Sequence, residues 1–245
     1  MKRTRTFGIM AMMLIAGATT VAAQDKVEAK VSADIVNQYI WRGTDCGDAS
    51  LQPTLGLSYK GLSLTAWGST EIAPKANTSY PDEFDLTLGY AIGNFNIGVT
   101  DYWFSSGADA DGRYFMYKTH NTNHMFEANV GYNFGPVALQ WYTTFAGNDY
   151  NKTNDDGTVD RAYSSYVELS APFTLGGLDW KAALGASPFK TSYYGNSSFA
   201  ITNVAVTATK DINVTPTFSI PVFAGVAANP CSQKAYLLFG FTLRP

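Results

Sequence analysis

The chain has 245 residues, 20 of them Asp or Glu and 17 Lys or Arg, for a formal net charge of −3. So slight an imbalance, with no Lys/Arg run beyond the first few residues, excludes a nucleic-acid partner. Charged residues make up 15%, well under the ~25% of ordinary soluble domains, and aromatics make up 14%, a balance that suits a surface facing something less polar than water.

Lys2, Arg3 and Arg5 precede an apolar run from Phe7 to Ala16, and small residues follow to Ala23. This is the layout of a secretory signal peptide over residues 1–24, leaving 25–245 as one exported domain. A short membrane anchor is the alternative reading, but the run falls short of the ~18 residues that a spanning helix needs.

The exported part reads as strands. The first is expected from Ser32 to Gly43, with Asp34, Gln38 and Arg42 on its polar face. Leu51, Pro53, Leu55, Leu57 and Tyr59 then alternate with Gln52, Thr54, Gly56 and Ser58, and Phe84, Leu86, Leu88, Tyr90 and Ile92 alternate with Asp85, Thr87, Gly89 and Ala91. The clearest unit runs from His124 to Phe145. There Phe126, Ala128, Val130, Tyr132 and Phe134 share one face and Glu127, Asn129, Gly131 and Asn133 the other. Gly135-Pro136 makes a turn, and the return strand sets Val137, Leu139, Trp141, Thr143 and Phe145 against Ala138, Gln140, Tyr142 and Thr144. Strands of about ten residues match a tilted crossing of a bilayer. Leu178, Trp180, Ala182 and Leu184 repeat the pattern, as do Leu237, Phe239, Phe241 and Leu243 in the last strand.

Short turns at Lys60-Gly61, Gly93-Asn94, Gly135-Pro136, 175–177 and 210–213 alternate with longer polar stretches near 44–50, 73–82, 105–123, 148–160, 188–196 and 225–233. The expected fold class is all-β: a transmembrane antiparallel up-and-down β-barrel of about twelve strands in the outer membrane, with short periplasmic turns and longer outer loops. Aromatics at Tyr59, Phe95, Phe134 and Phe173, and at Tyr39, Trp41, Phe104, Phe145 and Phe199, imply two interfacial belts. Pro216 and Pro221 would each remove a ladder donor from the penultimate strand, predicting a bulge or a shortened pairing there, and Asp101 marks the outer rim. A soluble sandwich or lipocalin-like barrel also alternates, but not with this conjunction of leader, low charge, end-of-strand aromatics and alternating turn length.

The stretch Ser32-Ala33-Asp34-Ile35-Val36-Asn37-Gln38-Tyr39-Ile40-Trp41-Arg42-Gly43, with Gln52-Pro53, Tyr59, Gly61 and Trp67, resembles the start of the TorF-type porins, small outer-membrane barrels. The resemblance implies a pore-like or structural protein and names no substrate. The terminal Leu243-Arg244-Pro245 departs from the final aromatic common among outer-membrane proteins.

The two cysteines, Cys46 and Cys231, fall in the first and last outward loops, which barrel closure would make neighbours. A disulfide is expected between them, against the alternative of two free thiols. The lumen-lining candidates are Asp34, Gln38 and Arg42 on the first strand, Gln52 on the second, Asp85 on the fourth and Glu127 and Asn129 on the sixth. Gln140 on the seventh, Glu168 on the eighth and Asp179 and Lys181 on the ninth complete the set. Carboxylates outnumber cations among them, so an open bore would favour cations or small neutral solutes. Equally, these groups can pair and fill the interior, with Arg42 as the ion-pair partner of an acidic neighbour.

No cofactor or metal is expected. His120 and His124, the only histidines, lie by the third long loop with no Ser and orienting group in triad order, which reads as rim histidines and not as a catalytic pair. Asp109-Ala110-Asp111-Gly112 and Asn154-Asp155-Asp156-Gly157 look faintly like calcium loops but lack the remaining ligand spacing, and read as turns. Three functions follow: a small-solute channel, a non-conducting surface barrel whose outer loops engage a partner or polysaccharide, or a lipid-acting enzyme. The channel is preferred, with membrane lipid and small solutes as its partners.

Overall fold

A computed structural model describes residues 26–73, 80–105, 112–118 and 120–245; the expected signal peptide lies outside the described residues. In chain order the strands are β1 (Glu28–Val36), β2 (Tyr39–Trp41), β3 (Thr44–Gly47), β4 (Ser50–Tyr59), β5 (Leu62–Glu71) and β6 (Glu83–Ile92). They continue with β7 (Phe95–Phe104), β8 (His124–Asn133), β9 (Ala138–Gly147), β10 (Lys152–Thr153), β11 (Val159–Asp160) and β12 (Ser165–Leu175). The last four are β13 (Leu178–Ser187), β14 (Ala200–Thr215), β15 (Phe218–Asn229) and β16 (Lys234–Leu243).

Twelve of these close into one barrel in the order β1-β4-β5-β6-β7-β8-β9-β12-β13-β14-β15-β16, each pair antiparallel and β16 returning to β1. The small hairpins β2-β3 and β10-β11 stand apart from the wall. Closure leaves no sheet edge, so every wall strand has its ladder partners on both sides.

The period-two pattern dictates which face goes where. In β8 and β9, Val130, Tyr132, Leu139, Trp141 and Phe145 stand outside while Glu127, Gln140, Tyr142 and Thr144 are buried inside. Val130 pairs with Trp141 and Tyr132 with Leu139, so apolar side chains meet across the outer surface. Leu55, Leu57, Leu64, Leu88, Ile97 and Val99 extend this outer band. Inside sit Gln52, Thr54, Ser69, Asp85, Thr87 and Thr100, the last two with their hydroxyl oxygens 2.9 Å apart. An apolar outside and a polar inside invert the arrangement of a soluble barrel, and the soluble alternative falls with that inversion.

The short turns lie at one end, as at 60–61, 93–94 and 176–177, together with the start of β1 and the end of β16. Two boundaries differ from expectation. The turn placed at 210–213 is further on: β14 runs through Thr215 and pairs Lys210 with Val222 and Asp211 with Pro221. Pro216 therefore sits in the turn and costs the ladder nothing, while the irregularity falls between Asn213 and Thr215. The last long loop is only the short turn 230–233, because β15 extends to Asn229.

The first loop departs most. The chain leaves the wall at Val36, well before Gly43, so Gln38 and Arg42 are not on the first strand; Gln38 precedes β2 and Arg42 sits at the β2-β3 turn. Asn37 redirects the chain. Its side chain accepts from the Phe239 amide at 2.7 Å and donates to the Leu237 carbonyl at 2.9 Å, so one residue satisfies the β16 edge where β1 would have continued. The β2-β3 hairpin then turns into the bore, taking Tyr39 and Trp41 away from the belt expected for them. Tyr39 is buried and its ring packs 5.4 Å from that of Trp67.

Candidate functional site

The hairpin crosses the bore from one wall to the other. Ile40 is buried against Ala227 of β15 and Leu238 of β16, a small apolar patch on the inner wall. From there the chain reaches Arg42, which takes a left-handed φ of 50° followed by Gly43 at 79°. The tip touches the wall at backbone level. Asn229 donates to the Gly43 carbonyl at 3.1 Å, and a side chain at Gly43 would fall 1.9 Å from the Thr202 carbonyl oxygen, so only glycine fits. Across the lumen stands Glu127 on β8, six strands round the ring from β16.

Arg42 closes this span with a two-pronged ion pair. Its Nη1 and Nη2 donate to Glu127 Oε2 and Oε1 at 2.7 and 2.8 Å, and Nη1 also donates to the Tyr194 hydroxyl at 2.7 Å. Tyr102 donates to Glu127 Oε1 at 2.9 Å. The guanidinium carbon lies 4.0 Å from the Tyr142 ring centroid, 4.2 Å from Trp41 and 4.7 Å from Tyr166. Burial, the largest single influence, disfavours the cation, but the Glu127 charge and hydrogen bond together with Tyr194 and Tyr102 outweigh it and raise the Arg42 pKa well above its ordinary value. Burial likewise pushes the Tyr194 phenol up, Arg42 offsetting part of the rise, so it remains a neutral hydroxyl. The result is a charged bolt clothed in aromatic rings.

The other sequence candidates distribute around this bolt. Glu168 accepts from the Tyr166 hydroxyl at 2.8 Å and lies 3.7 Å from Lys181 Nζ, so β12 and β13 carry a second, weaker ion pair beside the first. Asn129 and Gln140 both donate to Asn96 Oδ1, at 3.4 and 3.2 Å, nearer the short-turn end. Gln140 stands directly opposite Gly131, where a side chain would collide with it. Asp34 accepts from Thr242 across the β1-β16 seam, and Gln52 donates to Ser69 at 3.3 Å. Asp85 is buried beside Glu83, which also accepts from Tyr39. Gln38 is half-buried, and Asp179 is exposed near the short turn, away from the group.

Several members of the site were not foreseen: Tyr102, Tyr166, Tyr194, Asn96 and Glu83. Tyr102 and Tyr166 do fall on the polar parity of their strands, beside Asp101 and Val167, and that parity was the available signal. Tyr194 had none, because it arrives on the connection between β13 and β14.

Cys46 and Cys231 are both free thiols, which overturns the expected disulfide. The seam does bring β1 and β16 together, but the first loop turns into the bore and carries Cys46 toward Glu83 and Asp45, while Cys231 lies 3.8 Å from the Gly195 carbonyl. Burial and the neighbouring Glu83 and Asp45 charges push the Cys46 thiol up. Of the calcium-like stretches, residues 109–111 lie outside the described residues. Residues 154–157 form the β10-β11 turn, in which Asp156 accepts from the Thr158 amide and hydroxyl, and these bonds hold its carboxyl below its ordinary value. No group of three or more His, Cys, Asp or Glu side chains is placed to hold a metal ion among the described residues.

No family model and no curated protein matches the sequence. Among solved structures the chain is similar to the NanC porin in a rhombohedral crystal form, at 9% identity and a TM-score of 0.45 over 88% of this chain and 98% of that one. It is also similar to Salmonella typhi OmpF in complex with daunomycin, at 11% identity and a TM-score of 0.37 over 90% of this chain and 97% of that one.

Proposed function

We propose that this chain is an outer-membrane barrel that passes small solutes through a bore narrowed by the β2-β3 hairpin, with Arg42 and Glu127 setting the constriction. The observation that carries the reading is the position of that ion pair: it bolts a loop across a polar interior whose outside is a band of Leu, Ile, Val and aromatic side chains. A protein needing only a filled interior has no use for a loop that turns inward on a single residue. The resemblance of the opening stretch to TorF-type porins supports the same assignment. Asp34, Glu83, Asp85, Glu127 and Glu168 outnumber Arg42 and Lys181 on the inner faces, so the expected preference is for cations and small neutral solutes.

A second reading draws on the rings. Tyr102, Tyr142, Tyr166 and Tyr194 are all buried round Arg42, which suits a non-conducting barrel whose outer loops engage a partner. Planar-bilayer recordings of the mature protein separate the two. The channel reading expects small cation-selective conductance that rises several-fold when residues 38–48 are replaced by a short Gly-Ser link. Silence from both proteins, each confirmed as a folded barrel by heat-dependent gel migration, would establish the non-conducting reading instead.

A further inference from the structure

On the outside of the wall, residues 112–118, between β7 and β8, lie over the barrel near its loop end. The Tyr114 ring packs 5.7 Å from Phe84, 5.5 Å from Trp103 and 5.3 Å from His124, and Tyr117 stacks on His124 at 4.2 Å. Phe84, Trp103 and His124 alternate along their strands with the buried Glu83, Asp85, Tyr102 and Met125, so this contact is on the outer face. His124 pins it. Its Nδ1 is 2.8 Å from Asp101 Oδ1 and its Nε2 meets the Tyr114 carbonyl oxygen. Through these two contacts the ring ties wall to strap.

Held this way, the strap leaves Phe115 bare to its surroundings and Tyr117, with one face on His124, half exposed. Phe115 is 87% exposed and Tyr117 50% exposed, flanked by exposed Arg113 and Lys118. Neither cation has a carboxylate partner among the described residues. An aromatic pair this bare beside the apolar band, bracketed by two exposed cations, is costly in water and suited to a headgroup layer, where rings settle at the boundary and cations meet anionic lipid.

We infer that residues 113–118 form a docking site for a phospholipid whose headgroup carries a net negative charge, with Phe115 and Tyr117 entering the boundary of the acyl region and Arg113 and Lys118 binding the anionic phosphate. The inference rests on the bilayer-spanning reading and adds a lipid class to it. The test uses native mass spectrometry of the refolded mature protein in detergent, titrated with phosphatidic acid or phosphatidylcholine. Wild type should retain phosphatidic acid in preference, and R113S/K118S should retain it about thirtyfold more weakly, from the ~1 kcal/mol per cation expected near an anionic surface. R113K/K118R should restore retention, and K210S, at the opposite end of the barrel, should leave it unchanged.

Equal retention by R113S/K118S, equal retention of phosphatidylcholine by wild type, or displacement by inorganic phosphate at concentrations comparable to the lipid would each overturn the assignment. Heat-dependent migration of every variant guards against misfolding, and F115S gives a second probe that leaves both cations and the His124 pin in place. A wild-type protein that stayed monomeric without detergent would remove the bilayer reading and the strap together. A well-folded detergent barrel that ignored phosphatidic acid would remove the strap alone.

Discussion

Arg42 shows how one buried charge is made tolerable. A guanidinium withdrawn from water costs several kcal/mol, and here both carboxylate oxygens of Glu127, the Tyr194 hydroxyl and three ring faces replace the lost hydration. Removing either partner leaves the other stranded. Arg42→Met or Glu127→Gln should each destabilise the barrel by about 3–5 kcal/mol, while the double variant should recover a large part of that loss. Denaturant unfolding of the four proteins in a double-mutant cycle measures the coupling; strictly additive losses would show that the pair is not a unit. Cys46 reports on the same lock. With its thiol pushed up by burial and by Glu83 and Asp45, it should alkylate slowly at neutral pH in the wild type and much faster in Arg42→Met, where the hairpin is loosened. Peptide mapping without reductant should recover the two cysteines on separate peptides.

Among the elements, the β8-β9 hairpin and the β2-β3 hairpin behave in opposite ways. The first was readable residue by residue, because alternation over ten positions admits one register with the apolar side out, and slipping by one residue would turn Trp141 and Leu139 inward. The second contains Ile40 and Trp41 in succession and three or four residues per strand, too short for a period to declare itself. What fixes it is contact with distant strands: Gly43 on the Thr202 carbonyl, Asn229 on Gly43, Ile40 on Ala227 and Leu238. Gly43→Ala should therefore displace the hairpin tip and raise single-channel conductance, since the added carbon meets backbone that cannot move aside. A conductance identical to wild type would mean that the tip does not narrow the passage. β14 ran past its expected turn for a related reason. Lys210, Asp211 and Asn213 look like turn residues, yet near the end of the barrel their side chains reach water and the ladder continues beneath them.

At the scale of the whole molecule, closure sets both surfaces at once. Every wall residue points into lipid or into the bore, so substitutions on the two faces should differ sharply in effect. Leu88, exposed outside and paired with Leu64 and Val99, marks the middle of the band. Leu88→Arg should cost about 2–4 kcal/mol of folding stability in a bilayer and lower the yield of heat-modifiable barrel. Thr87→Val, one residue away on the inner face, loses one hydroxyl contact and should cost about 1 kcal/mol. Folding yields into vesicles compare them, and similar yields would mean that the band does not face lipid.

The up-and-down wall of about twelve strands, most of its short turns and the parity of Gln52, Asp85, Glu127, Gln140 and Glu168 followed from local alternation, because a strand's faces are fixed by its own backbone. The pairing of Arg42 with Glu127, the inward turn at Asn37, the separation of Cys46 from Cys231 and the strap held by His124 did not. Each joins residues from distant parts of the chain or turns on a loop with no period of its own, and such contacts exist only after the ring has closed and brought opposite walls within reach of one side chain.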